Sequence, residues 1–153
     1  MNKEVTIIGA GLAGVEAAYQ LAKRGIHVNL IEMKPVKFSP AHKSENFAEL
    51  VCSNSLRSNS QTNAVGLLKE ELRLLDSIVM KVADSCSVPA GGALAVNRDI
   101  FSSKLTEIIK NNKNISIEYR EVTDIPSGNV IVATGPLSSE AMCATIAKLN
   151  NEE

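Results

Sequence analysis

The chain has no tryptophan and only two Tyr and three Phe among its 153 residues. A core built on large aromatic anchors is excluded, and Ala, Val, Ile and Leu have to supply it. Cysteine is scarce as well: Cys52, Cys86 and Cys143 form no CxxC pair and cannot all pair with one another, which argues against a disulfide scaffold or a structural zinc site. Charge of one sign is missing, since 16 basic residues meet 17 acidic ones for a net charge of −1. The basic imbalance typical of a dedicated nucleic-acid-binding domain is therefore absent. No apolar run approaches the roughly 18 residues of a membrane span. The start, Met1-Asn2-Lys3-Glu4, is not the cationic opening of a signal peptide. These absences lead us to expect a chain with no metal and no membrane partner, located in the cytoplasm.

What is present is a 44% hydrophobic fraction, enough for a core, in a length that suits one domain at roughly 100–200 residues each. Val5 to Gly9 reads as a buried strand. Leu12 to Arg24 carries apolar and small residues at helical spacing and ends on Lys23, Arg24 and Gly25, which suit a helix terminus. His27 to Glu32 reads as a second strand, so strand, helix and strand occupy about 30 residues, the length of a βαβ unit. A long polar loop is expected over 33–63, with one helical turn near Phe47 to Val51; loops of that length are usually functional. Helical periodicity resumes over Ala64 to Ala83, with Thr62 or Asn63 as its cap. Val88 to Ala93 is a turn, and Leu94 to Val96 is extended. Asp99 to Lys110 reads as a helix. Ile115 to Tyr119 alternates as a strand, followed by Glu121 to Ile125. A turn at 126–129 leads to a strand over Val130 to Ala133, and Ser138 or Ser139 caps a last helix. The pattern predicts an α/β fold: a doubly wound parallel sheet.

Gly9-Ala10-Gly11-Leu12-Ala13-Gly14 matches GxGxxG, and it stands between a strand and a helix as that motif requires. Gly9 would permit the tight turn, Gly11 the approach of a pyrophosphate, and Gly14 the close packing of helix on strand. The amides and dipole of the helix start would attract the diphosphate. Glu32, eighteen positions after Gly14, would accept hydrogen bonds from a ribose hydroxyl and disfavour a 2′-phosphate. Ala133-Thr134-Gly135, at the end of a strand in the same sheet, would lie near the same cofactor.

The fingerprint, Glu32 and the Ala133-Thr134-Gly135 turn resemble those of flavoproteins with two dinucleotide-binding regions. Three longer segments are more specific: Glu49-Leu50-Val51-Cys52-Ser53-Asn54-Ser55-Leu56-Arg57-Ser58, Thr62-Asn63-Ala64-Val65-Gly66-Leu67-Leu68-Lys69, and Val88-Pro89-Ala90-Gly91-Gly92-Ala93-Leu94-Ala95-Val96. They are similar to signatures of the folate- and FAD-dependent tRNA (uracil-C5-)-methyltransferase family, related to the flavoproteins that modify the tRNA wobble uridine. The resemblance spans residues 4 to 140 and implies that 1–153 is the amino-terminal part of a Rossmann-like FAD-binding domain, with the remainder of the family's longer chain absent.

It further implies the activity of a methylenetetrahydrofolate–tRNA methyltransferase of the FAD-oxidising type. Methylenetetrahydrofolate would supply a methyl group to C5 of a uridine in the tRNA T-loop, and NAD(P)H would re-reduce the flavin. Cys52 is the catalytic candidate, as nucleophile or as a thiol near the flavin. Gly91 and Gly92 join the fingerprint, Glu32 and the 133–135 turn as cofactor-binding candidates. Ser53, Asn54 and Arg57 are substrate candidates. Three alternatives stay open: a paralogue acting on uridine in 23S rRNA with the same cofactors, a simple FAD- or NAD-dependent oxidoreductase domain, and a nucleotide-binding fragment without catalysis. Lys34, Lys37, Lys43 and Arg57 make the long loop locally basic, a place for RNA phosphate contact, but Glu45 and Glu49 dilute that charge and a solvated loop is the better reading.

Overall fold

The computed structural model describes residues 4–150; the opening Met1-Asn2-Lys3 lies outside them. Four strands form a parallel sheet in the order β6-β2-β1-β7, where β1 is Glu4–Ile8, β2 His27–Glu32, β6 Ile115–Tyr119 and β7 Val130–Val132. Alternation along β1 explains why both faces need cover. Ile7 belongs to the larger core with Val15, Val28 and Leu30, whereas its neighbour Ile8 belongs to a smaller core with Ile31, Val122 and Met142. Helix α1 (Leu12–Lys23) and helix α4 (Arg98–Lys110) fill the first face, and α5 (Glu140–Leu149) covers the second. Helices on both faces of a parallel sheet make a doubly wound α/β architecture, as the sequence pattern predicts.

A second, three-stranded antiparallel sheet was not foreseen. It pairs β3 (Ser55–Ser58) and β4 (Ser87–Val88) on either side of β5 (Ala93–Val96). β5 covers the extended piece expected at Leu94 to Val96, while β3 and β4 are too short and too rich in serine to show a period in the sequence. The helix expected over 64–83 is instead two, α2 (Ala64–Leu74) and α3 (Ile78–Ser85). The chain breaks at Asp76, whose φ of +63° is left-handed, and Ser77 restarts it by accepting a hydrogen bond from the Met80 amide. The apolar spacing runs through this break unchanged, so periodicity alone could not reveal it. Asn63, not Thr62, caps α2, and Ser139, not Ser138, caps α5. Phe47 and Ala48 form a turn rather than a helical turn, and 121–125 is irregular. No helix among the described residues is long and apolar enough to cross a membrane, and no cluster of metal-ligating side chains occurs among them.

Candidate functional site: the mouth of the first helix

A cleft opens at the carboxyl ends of β1, β2 and β7 and encloses about 630 Å³ of space, part of it continuous with solvent. Gly9, Ala10 and Gly11 form its floor, Glu32 and Lys34 one side, and Ala133 and Thr134 the other. The three fingerprint glycines serve different ends. Gly9 has φ +98°, and a Cβ there would stand 2.7 Å from the Ala133 carbonyl oxygen. A Cβ on Gly14 would stand 1.8 Å from the Gly9 carbonyl oxygen, so helix and turn touch through bare backbone. Around Gly11 a Cβ would meet nothing within 4 Å. The packing of the fold places no demand on that glycine. Gly11 is also the N-cap of α1 and gives it no side-chain acceptor, so the first amides of the helix point to the cleft mouth with their dipole uncompensated.

Glu32 is 6% exposed. One carboxylate oxygen accepts from the Ala10 amide at 2.7 Å and the other from the Lys34 amide at 3.0 Å. Each oxygen keeps a further lone pair for a ribose hydroxyl, while the carboxylate also pins the glycine turn to the end of β2. Leu12 and Ala13 open α1 beside the mouth without lining the cleft, and Gly135 starts a 3₁₀ turn at φ +65° just beyond Thr134.

The wall opposite the turn comes from the long loop, and sequence reasoning undervalued it. Lys34, read from the sequence as part of a solvated basic run, is 3% exposed. Its ammonium donates to the carbonyls of Ser44 (3.0 Å) and Asn46 (2.6 Å) and stands 3.5 Å from the Glu49 carboxylate. Glu49 in turn accepts from the Lys43 and Ser44 amides. Burial alone would raise the Glu49 pKa, but those amides, with Lys34 and His42 beside it, hold it below the usual carboxylate value. The Ala48 amide donates to the Ala10 carbonyl at 2.8 Å, which closes the loop onto the glycine turn. His42 also lines the cleft, its Nδ1 2.6 Å from the Ser39 hydroxyl. Burial first, then Lys34, lowers its pKa, so the ring is neutral near pH 7.

The remaining candidates lie elsewhere. Cys52 is exposed and shares a separate polar groove with Ser53, Asn54, Asn97 and Arg98. Arg57 projects from β3 and lines neither depression. Gly91 and Gly92 form the turn before β5, where the Gly92 carbonyl accepts from the Asn59 amide at 2.9 Å; the structure does not bring them into the cleft. Cys86 is buried, and burial pushes its thiol pKa up, whereas Cys143 is exposed.

A parallel sheet covered on both faces, with a glycine-lined helix mouth at its carboxyl edge, defines the Rossmann-type class of nucleotide-binding α/β folds. Comparison with known proteins narrows this. The family described as glucose inhibited division protein A matches residues 4–150, and the chain belongs to that family. A methylenetetrahydrofolate–tRNA-(uracil-5-)-methyltransferase TrmFO of Bacillus licheniformis is 61% identical over 153 residues, covering 100% of this chain and 35% of that protein. The protein of the same name from Anoxybacillus flavithermus is 62% identical over 150 residues, covering 98% and 35% respectively. The chain thus spans about a third of the length of the curated relatives it matches. The structure of Aquifex aeolicus GidA in its form II crystal superposes with a TM-score of 0.64 at 19% identity, over 82% of this chain and 21% of that one; it shares the fold.

Proposed function

We propose that this chain is the FAD-binding part of a folate-dependent tRNA uracil-C5 methyltransferase acting on a T-loop uridine, with NAD(P)H as reductant. The observation that carries the reading is the room around Gly11. That space is of no use to the fold and adjoins uncapped helix amides, where a diphosphate finds both donors and dipole. The likeness of the whole chain to relatives bearing that enzyme name supports the substrate class.

In this reading the amides at Gly11 and the start of α1 hold the diphosphate, Glu32 holds the adjoining ribose, and the Ala133-Thr134-Gly135 turn closes the opposite side. The flavin, once bound and reduced by NAD(P)H, would supply the electrons that turn a transferred methylene into a methyl group. Carbon 5 of uracil is a poor nucleophile until a thiolate adds at C6. We assign that thiolate to Cys52, with Ser53 and Asn54 at hand in the same groove to hydrogen-bond the base.

Titrating the chain with FAD and following flavin fluorescence tests the first half. Saturable binding by wild-type protein, weakened at least tenfold by Glu32→Ala, is expected; no uptake by folded protein refutes it. The second half is tested by joining these residues to the remaining two thirds of the Bacillus licheniformis relative. With folate, NADPH and a T-loop RNA, that chimera should methylate, and Cys52→Ala should abolish transfer while the flavin stays bound.

A further inference from the structure

Away from the cleft, at the far end of β3, two cations stand together without a counter-charge. Lys69 on α2 is 6% exposed, and its ammonium donates to the Ser58 carbonyl (3.0 Å) and the Val65 carbonyl (3.2 Å). An ammonium has three hydrogens, and among the described residues no carboxylate lies within ion-pair distance of this one. The charges that bear on it are Arg57 and Arg73, both cations. Arg73 is neutralised by Asp84 at 2.8 Å and Glu70 at 3.2 Å. Arg57 is not: its exposed guanidinium makes no hydrogen bond or ion pair among the described residues.

The backbone around this pair is built, not loose. Arg57 sits at φ +68°, a left-handed conformation that disfavours a side-chain-bearing residue and tends to mark function where the surroundings enforce it. Its amide is held by the Ser55 hydroxyl. The neighbouring loop is clamped against α2, since a Cβ on Gly66 would come within 2.0 Å of the Ser60 carbonyl oxygen. The Asn59 side-chain oxygen accepts from Arg73 at 2.8 Å, which leaves its amide hydrogens free to donate. A buried ammonium without an acid, an unpaired guanidinium fork and a fixed amide make a positively charged shelf.

We propose that Arg57 and Lys69 form an oxyanion site for a backbone phosphodiester of the RNA substrate. Its identity as an RNA phosphate rests on the function proposed above; its chemistry, a guanidinium fork gripping two oxygens with an ammonium behind it, does not. Arg57 lies five residues from Cys52, at most about 18 Å along an extended strand, so one RNA segment can reach both.

The test uses the full chain and two probes. Inorganic phosphate is titrated while the Nε–H resonances of arginine are followed by NMR. A fluorescent T-loop hairpin is then titrated from 50 to 200 mM salt. Arg57→Gly removes the fork and relieves the left-handed strain, so the variant should melt no lower than wild type. In the wild type the Arg57 Nε–H should shift saturably with phosphate, and in the variant the slope of log Kd against log salt should fall by about one. Lys113→Ala, an exposed cation elsewhere, should alter neither. Phosphate binding at Arg57 without hairpin binding upholds the oxyanion site and refutes its RNA occupant. Hairpin binding that Arg57→Gly leaves unchanged, with no phosphate shift at Arg57, overturns the shelf while sparing the proposed function.

Discussion

At Gly11 and Gly14 one residue type answers two unrelated demands, and a single methyl group separates them. Gly14→Ala drives a Cβ into the Gly9 carbonyl, so helix and turn must part. A fall in stability of about 1–3 kcal/mol, read by chemical denaturation, is expected even without ligand. Gly11→Ala meets no protein atom and should unfold at the wild-type denaturant concentration, while its FAD affinity falls at least tenfold in the same flavin titration. Equal losses of stability in both variants would contradict the division of labour. Glu32 shows a related economy: the carboxylate proposed to hold the ribose also accepts the amides that shape the turn.

Among the elements, the loop from Lys34 to Glu49 is anchored by Phe47 and Ala48 in the main core and by the polar groups gathered on Lys34. Lys34→Met keeps the length of the side chain but leaves the Ser44 and Asn46 carbonyls without their donor, at a cost of about 1–3 kcal/mol. Amide hydrogen exchange should quicken first across 42–49, where the wall loses its anchor. The break between α2 and α3 rests on charge as well, with Asp76 paired to both Lys23 and Lys81. Those partners hold its carboxyl at about 2, below the ordinary 3.8. A carboxyl with a depressed folded-state pKa stabilises above its unfolded value and loses that contribution as pH falls through the folded one. Asp76→Asn should therefore unfold more readily than wild type at pH 7, and the difference should vanish between pH 4 and pH 2 in thermal melts.

These elements also show what the chain reveals of itself. The βαβ unit was legible because its apolar periods and glycine spacing are local. The wall was not, because Lys34 reads as solvated until ten to fifteen residues of irregular backbone fold over it. The second sheet escaped for a like reason: β3 and β4 owe their pairing to β5, which lies more than 30 residues beyond the end of β3. Lys69 gave no signal either, since an amphipathic helix normally turns its lysines to water.

For the whole molecule, two regions are built on separate sheets: the glycine-lined mouth proposed to take the nucleotide on the parallel one, and the Cys52 groove with the proposed cationic shelf beside the antiparallel one. A ligand that binds only the folded chain stabilises it by about 2.7 kcal/mol at a hundredfold excess over its Kd. FAD at that level should raise the melting temperature of the wild type about twice as far as that of Gly11→Ala, because a tenfold weaker Kd leaves about 1.4 kcal/mol. The two regions are also tethered. Glu49, in the cleft wall, is three residues from Cys52, a reach of at most about 11 Å. The strap that shields one side of the nucleotide is thus also the leash of the sulfur, and the alkylation rate of Cys52 by iodoacetamide should change when the mouth is filled.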